Sequence, residues 1–180
     1  MVLKDFLGTP KVRQLLSKYA AEGHGHKNMS ADEFFERVGM DPVARLGASM
    51  GRKIGGAVGI RNVTKNELHS RAPLHESSVA CLCALLANRI AIGEIQSADQ
   101  SEETLISGQV PSSWKQFGGT INVLVSAEER ASPSVAGCRV KMEIIFPGQF
   151  FAWGAGKKLS RSICNHYARA ISEITRYRPS

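Results

Sequence analysis

Between residues 120 and 145 the chain alternates apolar and polar residues twice. Thr120-Ile-Asn-Val-Leu-Val125 is one run; Cys138-Arg-Val-Lys-Met-Glu-Ile-Ile145 is the other, with Val140, Met142 and Ile144 on one face. A period of two is that of a strand with one side buried and the other in water. Such strands build antiparallel sheets, and the apolar face of the sheet must then be covered by other elements. The cover is legible on both sides of the strands. Pro73 precedes a helix from Leu74 to about Ile90, with Val79, Leu82, Cys83, Leu86 and Ile90 on one face. After Gly156 a second helix carries Leu159, Ile163, Tyr167, Ala170, Ile171 and Ile174 as its stripe. Two further strand candidates, Ile90–Ile95 and Thr104–Val110, flank the polar turn Gln96–Glu103. Helix, four strands, helix predicts an α+β fold: a four-stranded antiparallel sheet with two flanking helices, not a parallel βαβ sheet.

The length of 180 residues suits one domain, or one domain with an extension. Residues 72–180 read as the α-β4-α domain and residues 1–71 as a helical, glycine-rich N-terminal extension. Thr9-Pro10 has the form of an N-cap followed by proline at the first helical position. Val12, Leu15, Leu16, Tyr19 and Ala20 then mark one helical face, and Gly23 is expected to stop the helix in the left-handed conformation. Ser30-Ala-Asp-Glu33 forms a capping box for a second helix with Phe34, Phe35 and Val38, ending at Gly39. Residues 41–62 are the ambiguous part. Gly47, Gly51, Gly55 and Gly59 recur every fourth residue, alongside Val43, Leu46, Met50, Ile54 and Val58. In a helix each such glycine costs about 0.8–1 kcal/mol relative to alanine, so a glycine groove requires tight backbone packing. A close-packed assembly helix, an irregular loop and an interfacial membrane helix all fit this segment. On the first reading the four glycines are the assembly residues.

Apolar residues make up 43% and charged residues 22%, which excludes a disordered chain. No apolar run approaches the roughly 20 residues needed to cross a bilayer, and no signal peptide opens the sequence. Cys81 and Cys83 are two apart, so on a helix they point about 200° away from each other and cannot clamp one metal. With Cys138 and Cys164 they read as buried thiols in a reducing cytoplasm. The histidines at 24, 26, 69, 75 and 166 read as loop and surface residues. Gly154-Ala-Gly-Lys-Lys158 lacks the first glycine and the hydroxyl of a phosphate loop. Gly47-Ala-Ser-Met-Gly51 matches a nucleophile elbow literally, but a helix start precedes it where a strand is needed. The residues call for no catalytic group, metal or cofactor.

Charge is the more informative signal. The chain has 23 Lys and Arg against 16 Asp and Glu, a net of +7. From Lys157 to Arg178 six cations face one acid, Glu173; from Arg45 to Arg71 six cations face one acid, Glu67. Each segment carries +5, and the rest of the chain is net acidic. On the last helix Lys158, Arg161, Asn165, Arg169, Ser172 and Arg176 recur opposite the apolar stripe. Clustering of this kind predicts an anionic partner. The expected contact residues are Lys157, Lys158, Arg161, Arg169 and Arg176, with Arg52 and Lys53 from the glycine-rich segment. Aromatic residues are only 7% and none interleaves with the cations, so base stacking is not expected and phosphate-backbone contact is the simpler form.

The run from Leu74 to the last helix resembles the small α-β4-α domains of uncharacterised bacterial proteins, helix-grip-like or TATA-binding-like in shape. Phe150-Phe-Ala-Trp-Gly-Ala-Gly-Lys157 carries the resemblance, a Trp-Gly turn before a basic helix start. Ala152 stands where those domains have an acidic residue, so any role of that carboxylate is absent. The resemblance implies a fold and no activity. Three function classes follow, in order of preference. The first is a non-enzymatic binding or assembly protein engaging itself or an anionic partner through its N-terminal helices and basic surfaces. The second is a non-specific nucleic-acid binder. The third is a small apolar-ligand carrier or enzyme, with a pocket lined by Trp114, Phe146, Phe150 and Trp153. A protein partner or self-association is expected ahead of nucleic acid, and nucleic acid ahead of peripheral membrane contact.

Overall fold

The computed structural model describes residues 3–24, 61–97, 102–111, 118–128, 137–147 and 154–176. In chain order the elements are α1 (Leu3–Leu7), α2 (Pro10–His24), β1 (Arg61–Ser70), α3 (Leu74–Ala87), β2 (Ala91–Gln96), β3 (Glu103–Val110), β4 (Gly119–Glu128), β5 (Gly137–Pro147) and α4 (Ala155–Arg176). All strand pairings are antiparallel, in the order β1-β5-β4-β3-β2. The class expected from the alternation is present, but the sheet has five strands rather than four. The extra strand is residues 61–70, which the sequence reading gave to the N-terminal extension. The boundary expected between residues 71 and 72 therefore falls inside the fold, between β1 and α3.

The reason β1 escapes pattern reading is chemical. Its helix-facing residues are Asn62, Thr64, Asn66, Leu68 and Ser70, with a single large apolar side chain among them. That polar strip is tolerated because α4 answers it in kind: Asn66 Nδ2 donates to Ser160 Oγ at 2.9 Å and to Cys164 Sγ at 3.2 Å.

Ile106, Ile121, Val123, Val125, Val140, Met142, Ile144 and Phe146 form the buried face of the sheet. Helix α3 lies against it and is buried continuously from Glu76 to Leu86, because α4 and α2 also pack on it. A helix apolar on every side belongs in an interior, and this one places Cys81 and Cys83 in the core although they point different ways. Its C-terminus closes with Arg89 N–H on the Leu86 carbonyl and Ile90 N–H on the Leu85 carbonyl, Arg89 taking the left-handed conformation at φ 61°.

Val12, Leu15, Leu16, Tyr19 and Ala20 of α2 are all buried in this same core. The first N-terminal helix is thus part of the domain, and its apolar face is not free to meet a partner. Thr9 accepts the first helical bond from Arg13 N–H at 3.0 Å, but its hydroxyl donates back to the Phe6 carbonyl at 2.9 Å and does not cap. Gly23 is helical and does not have positive φ. Its smallness serves packing: a Cβ there would overlap the Leu86 carbonyl oxygen of α3. The helix expected over 30–39, Gly47, Gly51, Gly55, Gly59, Arg52 and Lys53 lie outside the described residues.

Candidate functional site

Helix α4 buries Gly156, Ser160, Ile163, Tyr167, Ala170 and Ile174, with Leu159 and Ile171 partly covered. Its first turn is clamped on β1, since a Cβ at Gly156 would overlap the Thr64 hydroxyl. The opposite face presents Lys157, Lys158, Arg161 and Arg176, all exposed, separated by Asn165, Ala168 and Ser172. No acidic residue lies in the first turn, and none of these four cations makes an ion pair with a described residue. Three cations in the first two turns also oppose the helix dipole, at about 0.3–1 kcal/mol for each charge near the terminus. The free N–H groups of that turn add to the same positive field.

Arg169, named with these cations as an expected contact, is exposed as well but differs from them in being engaged within the chain. Its Nε donates to Tyr19 Oη at 3.0 Å, its Nη2 pairs with Glu22, and its guanidinium lies 4.6 Å from the Tyr19 ring centroid. Tyr19 Oη in turn donates to Glu173 at 3.3 Å, and Lys18 Nζ reaches both Glu173 oxygens at 2.8 and 2.9 Å. This cluster ties α2 to α4. Burial raises the Tyr19 phenol above its usual range despite the Arg169 bond, and the Tyr19 bond raises Arg169 further.

The far face of the sheet carries no described helix. Register places Lys65, Glu143, Asn122 and Ser107 in one row across it, and Glu67, Lys141, Leu124 and Leu105 in the next. Lys65 pairs with Glu143 at 3.2 Å. At one corner His69 Nδ1 lies 2.6 Å from Glu128 Oε1, while Arg139 Nε lies 3.3 Å from that oxygen and 3.4 Å from Glu67 Oε1. A shallow basin of about 500 Å³ runs across this face, with Leu105 and Leu124 in its lining. Its rim charges are of both signs, Lys65 and Lys141 against Glu67 and Glu143, with Lys65 paired to Glu143 and Glu67 to Arg139, so it lacks the one-signed field of a polyanion surface. The basin also lies on the side opposite the pocket expected between sheet and last helix. Phe146, named for that pocket, is a core residue at 1% exposure, and Trp114, Phe150 and Trp153 lie outside the described residues.

Burial raises the thiols of Cys81, Cys83, Cys138 and Cys164 above their ordinary range, most strongly for the first two. A neutral thiol is a poor nucleophile. No group of three His, Cys, Asp or Glu among the described residues could hold a metal ion. No described helix is long and apolar enough to cross a membrane. The corner of His69, Glu67, Arg139 and Glu128 was not anticipated, and alternate positions 63, 65, 67 and 69 were the only signal that could have grouped its β1 members.

No family model and no curated protein matches the chain. Among solved structures it is similar to an uncharacterized protein from Rhizobium leguminosarum, at 9% identity and a TM-score of 0.29, over 63% of this chain and 99% of that one. At that score the likeness carries no argument about fold or function.

Proposed function

We propose that this protein is a non-enzymatic binding protein that holds a phosphate-bearing polymer against the outer face of α4. The observation that carries this reading is the set Lys157, Lys158 and Arg161, exposed within two turns with no acid in the first turn and no ion pair to a described residue. Placing three cations at the positive end of a helix costs stability in the free protein, and an anion reverses that cost. Arg176 extends the face to roughly 28 Å along the helix axis, a length suited to a polymer more than to a small anion. The small residues between the cations offer no stacking surface, so contact is to the phosphate backbone and sequence is not read.

The test replaces Lys157, Lys158 and Arg161 with Gln and follows binding to a random-sequence duplex by fluorescence anisotropy across a salt series. The parent is expected to lose affinity steeply with salt, and the triple variant to flatten the log–log slope by about 2–3. Its melting temperature should be unchanged or slightly higher, since the dipole conflict is removed. An unchanged slope would sink the reading. Loss of binding to an acidic protein in the triple variant, with binding to the duplex unchanged, would instead assign the face to a protein partner.

A further inference from the structure

The two edges of the sheet are built differently. Edge strand β2 is only 6 residues long and breaks register at a bulge between Ile92 and Glu94, two devices that blunt an edge against further pairing. Edge strand β1 has 10 residues, keeps an unbroken register with β5 from Arg61 to Ser70, and contains no proline. Among the described residues no strand pairs with its outer side. It also holds Val63, at 41% exposure the one large apolar side chain so exposed among the described residues.

From this we infer that β1 pairs with β1 of a second copy, antiparallel and centred on Asn66, to give one continuous sheet across a two-fold axis. Charge decides the register. A two-fold pairing places residue i opposite residue j with a constant sum, both on the same face of the sheet. Centring on Lys65 sets Lys65 against itself, and centring on Glu67 sets Glu67 against itself. Centring on Asn66 sets each Lys65 opposite Glu67 of the second copy, twice over, and each Val63 opposite His69. It also uses residues 62–70, nearly the whole strand. Within one chain Lys65 and Glu67 make only exposed ion pairs, Lys65 with Glu143 at 3.2 Å, and Glu67 with Arg139 at 3.4 Å and with His69 Nε2 at 3.5 Å. Exposed pairs of that kind are weak and can be shared across an interface. On the helix side Asn66 is already held by Ser160 and Cys164, while its Oδ1 accepts from Glu67 N–H at 2.9 Å, a local bond that pairing with a second strand would exchange for a ladder bond.

The experiment is a charge exchange read by sedimentation equilibrium on the full chain. Wild type should show a concentration-dependent dimer. K65E sets Glu against Glu twice and E67K sets Lys against Lys twice, so each alone should weaken the dimer by about tenfold or more. Mixing K65E with E67K restores both ion pairs in a heterodimer, and so does the double exchange K65E/E67K in one chain. Circular dichroism on each variant separates loss of pairing from loss of fold, and recovery in the mixture excludes misfolding as the cause. A wild type that stays monomeric across the dilution series overturns the inference. So does a dimer that survives both single exchanges, or a mixture that does not recover. None of these outcomes touches the reading of α4, because Lys65 and Glu67 lie outside its basic face.

Discussion

At Gly23 the usual rule for helices should change sign. An interior glycine replaced by alanine ordinarily stabilises a helix by about 1 kcal/mol. Here the added methyl would overlap the Leu86 carbonyl oxygen, a backbone atom held in the last turn of α3. The helices must separate, and Arg89 Nε, which donates to the Gly23 carbonyl, loses its position with them. Gly23→Ala should therefore destabilise by about 1–3 kcal/mol, as core overpacking does, measured by urea denaturation. A neutral or stabilised variant would mean that α2 is free to shift on α3. The same residue shows how local reading and packing diverge: a glycine after an apolar stripe looks like a helix stop, but here the helix runs through it because a neighbouring backbone needs the space.

Elements that alternate were legible and the one that does not was lost. β4 and β5 match their expected runs within a few residues, and the predicted core residues Ile121, Val123, Val125, Val140, Met142 and Ile144 are all buried. β1 was missed because its inner side is Asn, Thr, Asn, Leu and Ser, and polar strips inside a fold become readable only with their partners on α4 in view. Of the candidate site, the α4 cations were legible from helical spacing, whereas the capture of Arg169 was not, since it depends on Tyr19 and Glu22 some 150 residues away. For α3, burial has a consequence in alkaline solution. Cys81 and Cys83 are 3% and 0% exposed, and burial raises both thiols above the unfolded value near 8.5. Their contribution is fully present below that pH and is lost as pH rises, because the unfolded chain ionises while the folded one does not. Stability should fall by about 1.4 kcal/mol per pH unit for each thiol between about pH 9 and 10. Comparing denaturant midpoints at these pH values in the parent and in Cys81→Ala/Cys83→Ala tests it. An equally steep fall in the double variant would assign the effect to other groups.

On the scale of the molecule, the described helices on one side of the sheet and the edge at β1, which no described strand pairs, put the two proposed surfaces close together. The start of α4 sits on Thr64, two residues from the proposed two-fold axis at Asn66. In the paired sheet Thr64 lies opposite Leu68 of the second copy, so the two Thr64 positions are roughly 14 Å apart, from four residues of strand rise and one strand spacing. The two clusters of Lys157, Lys158 and Arg161 then face the same way on the helix side. Without a ligand they repel, which weakens the dimer; a duplex long enough to span both neutralises them together. If both proposals hold, pairing and polyanion binding are coupled with positive sign, and by linkage each strengthens the other equally. Two measurements follow from that coupling. A long duplex at low salt should shift wild type toward the dimer in sedimentation, while inorganic phosphate, unable to bridge the clusters, should shift it much less. The salt slope of wild type on the long duplex should be about twice that of the K65E monomer, because twice as many phosphates are contacted. Equal slopes for dimer and monomer would mean that the clusters diverge or that the two surfaces act separately, and the coupling would be discarded even if each surface passed its own test.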